Sequence, residues 1–189
     1  MHIVWILVFG AMMIYVAWWL VSSIRARVVF EVLMALGVGS LWTAFFAPAL
    51  FEGLLALVTW PAAVSLAGKA LFCLSIVLLV AAVHSLHRGG KPTSGWEHTT
   101  ELTTGGIHGL VRHPMQLGGI LGACAAAMLS PTLVALVLGG VSITCFALAT
   151  RAEDRYNVAK FGEPYRAYMK RVPALNLLAG IWKWLRARG

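Results

Sequence analysis

From Ile3 to Ser22 the chain runs without a charged side chain, and predominantly apolar runs return at Val28–Ala47, Lys69–Leu86, Pro114–Ser130 and Thr132–Thr150. A helix needs roughly 20 apolar residues to cross the hydrocarbon core of a bilayer. Within that core each backbone N–H and C=O must be satisfied inside the protein, which a helix does by itself. The runs therefore predict an all-α, polytopic helical membrane protein with about five transmembrane helices. A soluble domain of 189 residues, 60% of them hydrophobic and 12% charged, has no interior large enough to hide so much apolar surface. We read 1–189 as a single membrane domain. It has N-terminal spans in 1–86, a cytoplasmic loop in 87–113, a helical hairpin in 114–150 and a cytoplasmic, interfacial C-terminal segment in 151–189.

The formal charge of +8 lies beside apolar segments rather than on a polar face, so nucleic acid is excluded as a partner. It reads instead as topology and as attraction to anionic membrane lipids. Arg25 and Arg27 follow the first run, and His84, His87, Arg88 and Lys91 follow the third. After Thr150 come nine Lys/Arg against three Asp/Glu, and Lys69 alone among the fifteen Lys/Arg falls near the outer face. This predicts an N-terminus outside and a C-terminus in the cytoplasm, as in a bacterial inner membrane or its equivalent. The first run, with Trp5, Trp18 and Trp19 near its ends, is too long and too aromatic for a cleaved leader. Glu31, four residues after Arg27, is placed for a helical ion pair at the membrane edge. The stretch 48–66, interrupted by Glu52, Gly53 and Pro61, reads as interfacial or re-entrant on the outer side. Cys73, Cys124 and Cys145 sit in apolar runs outside any CxxC and read as small hydrophobes, with no metal role.

Chemistry concentrates at Thr103–Gly119, TTGGIHGLVRHPMQLGG. Pro114 suits the first turn of a helix, where its missing N–H costs nothing. Such a helix directs free N–H groups and the positive end of its dipole toward Arg112 and His113, a corner suited to a carboxylate or phosphate. Ser130-Pro131 closes a hairpin whose first helix carries Gly118, Gly122 and Ala126 and whose second carries Ala135 and Gly139-Gly140. Small residues at this spacing let two backbones approach closely. The hairpin thereby brings Arg112 and His113 beside Arg151, Glu153 and Asp154. Trp182 and Trp184, interleaved with Lys183, Arg186 and Arg188, form an interfacial anchor.

The run GGIHGLVRHPMQLGG, followed by RAEDRYNVAKFGEPYRAYMKRVP, resembles the isoprenylcysteine carboxyl methyltransferases and the phospholipid methyltransferases of the same wider group. The resemblance covers Gly105 to Pro173. It rests on Arg112-His113-Pro114, the acidic pair Glu153-Asp154, and the tail Phe161, Gly162, Tyr165 and Tyr168. It implies a small helical membrane enzyme that transfers a methyl group from S-adenosyl-L-methionine to a lipophilic acceptor. The acceptor would be an isoprenylcysteine-like carboxylate, a lipid headgroup or a small hydrophobic metabolite, reached at the cytoplasmic face. Cofactor contacts are then expected from His108, Arg112, His113, Pro114, Glu153, Asp154 and Tyr165, and catalytic roles from Arg112, Arg151 and Glu153. The cofactor's carboxylate suits Arg112 and His113; its ammonium or ribose suits Glu153 and Asp154. Gln116 and Gly119, on the first turns of the hairpin, are expected to line the acceptor's lateral entry. His108 and Gln116 stand where the relatives commonly have tyrosine, and Arg155 where they often have a third acid. These departures point away from a prenyl-cysteine acceptor.

Two other readings compete. Arg112-His113-Pro114 after a loop, with Met115-Gln116 following, is also similar to NnrU-like membrane proteins related to a haem-dependent carotene isomerase. His84, His87, His98, His108 and His113, near one membrane face, could then include a haem ligand. A non-enzymatic lipid-binding membrane protein is the third. The concentration of Arg, His, Glu and Asp at the hairpin mouth argues against it, since ionisable groups at a membrane edge are expensive without a task.

Overall fold

The computed structural model describes residues 2–50, 59–90 and 100–186. Among them are seven α-helices and no strand: α1 (His2–Ala26), α2 (Val29–Leu50), α3 (Ala62–Gly89), α4 (Pro114–Leu129), α5 (Leu133–Phe161), α6 (Glu163–Arg171) and α7 (Leu177–Arg186). A 3₁₀ turn, Gly106–Gly109, precedes α4. Helices α1, α2, α3 and α5 are each long and apolar enough to cross a membrane. The expected fifth span is shorter. Helix α4 has 16 residues, and at 1.5 Å per residue it extends only about 24 Å. Most of α1 faces outward, with Leu7, Ile14 and Trp18 exposed, as lipid-facing residues of a membrane helix would be.

Two of the expected boundaries shift. Helix α3 already begins at Ala62, so the end of the 48–66 stretch is helical; Val64 N–H donates to the Pro61 carbonyl at 2.9 Å as the helix starts. Residues 51–58, with Glu52 and Gly53, lie outside the described residues, as do Trp96 and His98. Helix α5 does not stop at Thr150 but continues to Phe161. The acidic pair is therefore held on a helix rather than in a loop.

The chain forms two compact units. The first comprises Met1–Ser75 and Gly119–Ala152. Here Arg27 takes a left-handed φ of 58° to close the α1–α2 turn, and Val28 N–H donates to the Ser23 carbonyl at 3.0 Å. Glu31 is buried and accepts the Ser23 hydroxyl at 3.1 Å. The small residues do only in part what their spacing predicts: Gly140 has open space where a side chain would stand, while others are closely approached by several different neighbours. A side chain at Gly139 would meet the Ala123 carbonyl of α4 at 3.4 Å, whereas Gly122 faces Ser75 and Leu41. Gly119 lies directly beneath the buried ring of Phe146, with no room for even a Cβ. Ser142 donates to the Gly37 carbonyl at 2.9 Å.

The second unit comprises Ile76–Gly118 and Glu153–Gly189. Gly162, at φ 65°, makes the turn from α5 into α6, a backbone conformation that a side chain would strain. Tyr165 and Tyr168 lie one helical turn apart on the buried side of α6, edge to face at 5.7 Å. With Val172 they form a small core, packed by Leu102, Val158, Phe161 and Met169. Beyond α6 the backbone runs back along the loop before α4. Arg112 N–H donates to the Pro173 carbonyl at 2.9 Å, and His113 N–H to the Ala174 carbonyl at 3.1 Å. Gly180 of α7 sits against the Leu110 carbonyl so closely that a Cβ there would overlap it.

Candidate active site

Asp154 is the centre of the second unit's polar core. Arg112 donates to it twice, Nε to Oδ1 at 3.3 Å and Nη2 to Oδ2 at 2.9 Å. The forked guanidinium matches the two carboxylate oxygens. His113 Nε2 lies 2.8 Å from Oδ1, and the Tyr165 hydroxyl donates to the same oxygen at 2.7 Å. Helix geometry explains why these groups meet. Arg112 and His113 immediately precede α4, Asp154 lies on α5, and Tyr165 projects from the buried side of α6.

Arg112 has a second task. Its Nη1 donates to the carbonyls of Met169 at 3.0 Å and Val172 at 2.6 Å. These are the carbonyls that the end of α6 leaves without helical partners, and the negative end of the helix dipole favours a cation there. The loop, α5 and the end of α6 are thus fastened by one side chain. This use of Arg112 could not be read from residue spacing, because the acceptors are backbone oxygens.

Glu153 is held differently. Its Oε2 receives the Gln116 amide and lies 3.3 Å from His113 Nδ1. Both contacts end on Oε2; Oε1 takes no partner among the described residues. The exposures agree with this asymmetry. Side chains of Arg112, Asp154 and Glu153 are 8%, 16% and 26% exposed, and His113 is 1% exposed. Both oxygens of Asp154 have partners, while Glu153 keeps one oxygen open.

With a carboxylate at each ring nitrogen, His113 must donate from both, so it is an imidazolium. Burial alone would discharge it, but the charge of Glu153 and the hydrogen bonds it donates to both carboxylates outweigh that and raise its pKa to about 9. His108 goes the other way. Buried, and repelled by His113 more weakly than Glu153 attracts it, its ring is lowered to about 4 and is neutral at pH 7. Its Nδ1 meets the Ser85 hydroxyl at 3.1 Å, and its backbone carbonyl accepts the Tyr168 hydroxyl at 2.6 Å. Burial, together with the donated bond to Asp154, pushes the Tyr165 phenol upward. Burial also raises Tyr168.

Of the residues singled out in the sequence, Arg112, His113, Gln116, Glu153, Asp154 and Tyr165 converge in one network. The expected division between a cationic corner and an acidic corner is absent: the cations and the acids are each other's partners. Arg151 is exposed and lies two positions from Glu153, about 200° around α5. Gly119 is covered by Phe146. Ser85 and the α6 carbonyls were not singled out. Ser85 lies in the third apolar run, where serine gives no distinguishing signal. Tyr168 belonged to the tail motif, and its position three residues from Tyr165 was the signal that it shares a buried face.

Residues 63–164 match the phospholipid methyltransferase family, a match that ends just after Gly162 and includes Arg112, His113, Pro114, Glu153 and Asp154. No curated protein and no solved structure matches the chain. The family match spans more than half of the 189 residues and falls on the elements that carry the polar network, so the chain belongs to the phospholipid methyltransferase family.

Proposed function

We propose that the chain transfers a methyl group from S-adenosyl-L-methionine to a lipophilic acceptor at the cytoplasmic face of a membrane. The observation that carries this reading is the unpartnered Oε1 of Glu153, a partly exposed carboxylate oxygen in a buried ionic network. The donor set fits such a cofactor, because an anionic oxygen beside neutral and cationic donors suits an ammonium or a ribose hydroxyl. When bound, the cofactor supplies a methyl group already activated by its sulfonium.

The protein's contribution is then alignment and exclusion of water. Asp154, tied to Arg112, His113 and Tyr165, acts as a positioning residue that fixes the end of α5 and so the direction of Glu153. Gln116 and His113 orient the Glu153 carboxylate by holding Oε2, which aims Oε1 at the ligand. A carboxylate or thiolate acceptor needs no base. An ammonium acceptor must first lose a proton, and Glu153 Oε1 is the open group to take it. His113, already doubly protonated, cannot serve as that base at pH 7, and His108 at about 4 is a poor one. Arg112 is committed to Asp154 and to α6, so its role in this reading is to hold the site together rather than to grip a ligand carboxylate.

The test is calorimetry with S-adenosylhomocysteine on detergent-purified protein. Wild type should bind, and Glu153→Gln should weaken binding at least tenfold, about 1.4 kcal/mol. Unchanged affinity in a folded variant would remove Glu153 from the cofactor site.

A further inference from the structure

A cleft of about 370 Å³ lies in the second unit, with Tyr168 and Val172 in its lining. Its walls are the loop at Gly105-Gly106, the end of α6 at Arg171, and α7 at Lys183 and Trp184. Among the described residues that line it none is acidic, and the two charged ones, Arg171 and Lys183, are both cations. Lys183 Nζ reaches the Arg171 carbonyl at 3.5 Å, which draws the ammonium toward the end of α6. A ligand carrying sulfonium and ammonium charges would be repelled here; an anion would be attracted.

Helix α7 indicates which anion. Leu178, Ile181, Trp182 and Leu185 recur at i, i+3, i+4 and i+7 and are all exposed. That is the apolar stripe of a helix lying in the membrane interface. Arg186 stacks over the Trp182 ring at 3.9 Å, adding a cation at the same level. The opposite side of α7 presents Gly180, Lys183 and Trp184 to the cleft. A helix whose apolar side enters the acyl layer sets its cationic side at headgroup depth.

We propose that this cleft binds the headgroup phosphate of an anionic phospholipid, held by Arg171 and Lys183 at the headgroup depth that the apolar stripe of α7 sets. The lipid is a bound partner and not the methyl acceptor. Tyr168 and Val172 line the cleft and also bond to the loop that carries the network. Through the Tyr168 hydroxyl on His108 and the Val172 carbonyl on Arg112, a lipid in the cleft stiffens the loop that carries the network.

The test uses the full chain in a neutral detergent, titrated calorimetrically with dihexanoyl-phosphatidylglycerol and, as control, dihexanoyl-phosphatidylcholine. The anionic lipid should bind at least roughly tenfold more tightly than the zwitterionic one. Arg171→Gln combined with Lys183→Gln should lower the phosphatidylglycerol affinity at least roughly tenfold, and the exposed Lys183→Gln alone about threefold. S-adenosylhomocysteine affinity, measured on the same samples, should stay within about twofold of wild type, and an unchanged thermal midpoint shows that the variants are folded. Equal binding of the two lipids, or unchanged phosphatidylglycerol binding in the double variant, overturns the proposal. Displacement of the lipid by equimolar inorganic phosphate would make this a free-anion site and overturn the lipid assignment. A parallel fall in S-adenosylhomocysteine affinity would assign the cleft to the cofactor. Failure of wild type to bind S-adenosylhomocysteine would defeat the methyltransfer reading and leave the lipid titration to stand or fall by itself.

Discussion

Adjacent carboxylates on α5 should respond unequally to the loss of charge. Asp154→Asn withdraws an anion from Arg112 at 2.9 and 3.3 Å, from His113 at 2.8 Å and from Tyr165 at 2.7 Å. It also points an amide toward a guanidinium that cannot accept. Breaking one side of a buried pair costs roughly 3–5 kcal/mol, and exposures of 8% and 16% leave little solvent to soften it. Asparagine keeps one carbonyl acceptor, so we expect the lower end, about 3 kcal/mol. At about 2–4 °C per kcal/mol, the thermal midpoint falls by roughly 6–12 °C. Glu153→Gln keeps an acceptor for Gln116 and His113 and is 26% exposed. Its stability cost is therefore about 1 kcal/mol, while its effect on ligand binding is the larger one. The assay is intrinsic tryptophan fluorescence on heating in detergent, with and without S-adenosylhomocysteine. Equal midpoints for the two variants, or a larger fall for Glu153→Gln, would refute the assignment of Asp154 as anchor and Glu153 as the ligand-facing acid.

Because the folded pKa of His113 is raised from 6.5 to about 9, its contribution is complete below the unfolded value and is lost as pH rises through the folded one. The thermal midpoint should fall between pH 7 and pH 10, and His113→Gln should flatten that dependence; a flat wild-type profile would mean a neutral ring. Gly119→Ala pushes a methyl group into the Phe146 ring and should destabilise by about 1–3 kcal/mol, with Phe146→Leu restoring the midpoint. If Gly119→Ala instead leaves stability intact and abolishes turnover, Gly119 lines the acceptor's entry. In a background with Cys73, Cys124 and Cys145 replaced, Arg25→Cys and Arg171→Cys should label only from the cytoplasm and Pro131→Cys only from outside. Outside labelling of Arg171→Cys would move the proposed site to the wrong face.

The spans were legible because the bilayer imposes one simple demand, an apolar length, and α1, α2, α3 and α5 meet it. Boundaries were read less well where two signals coincide. Arg151 looked like the end of a membrane run, yet α5 continues ten residues beyond it to Phe161, since a helix can leave the apolar layer without ceasing to be a helix. Pro61 looked like a break and instead precedes the first turn of α3, where a proline is tolerated. The small residues of the hairpin were visible as a class. Their partners were not, because glycine spacing states that something approaches closely without stating what. Gly122 meets α2 and α3 residues, and Gly119 meets an aromatic ring.

Which residues gather in the polar network was legible in the same way, and which of them partner one another was not. Arg112, His113, Glu153 and Asp154 were visible as an unusual density of charge, but charge density does not say whether opposite charges face a ligand or one another. The deciding information lies in the tail. Gly162 turns the chain so that α6 folds back, Tyr165 reaches Asp154, Tyr168 reaches the His108 carbonyl, and the carbonyls of Met169 and Val172 at the end of α6 accept from the Nη1 of Arg112. Once those donors are taken, Arg112 is a fastener, and of the two carboxylates only Glu153 keeps an oxygen for something else. The tail therefore works as a lock on the network: its glycine and its tyrosines set which acid is buried as an anchor and which is left open. Neighbouring residues on one helix, about 100° apart, differ in sequence by a single methylene and in role by the side of α5 to which the tail returns.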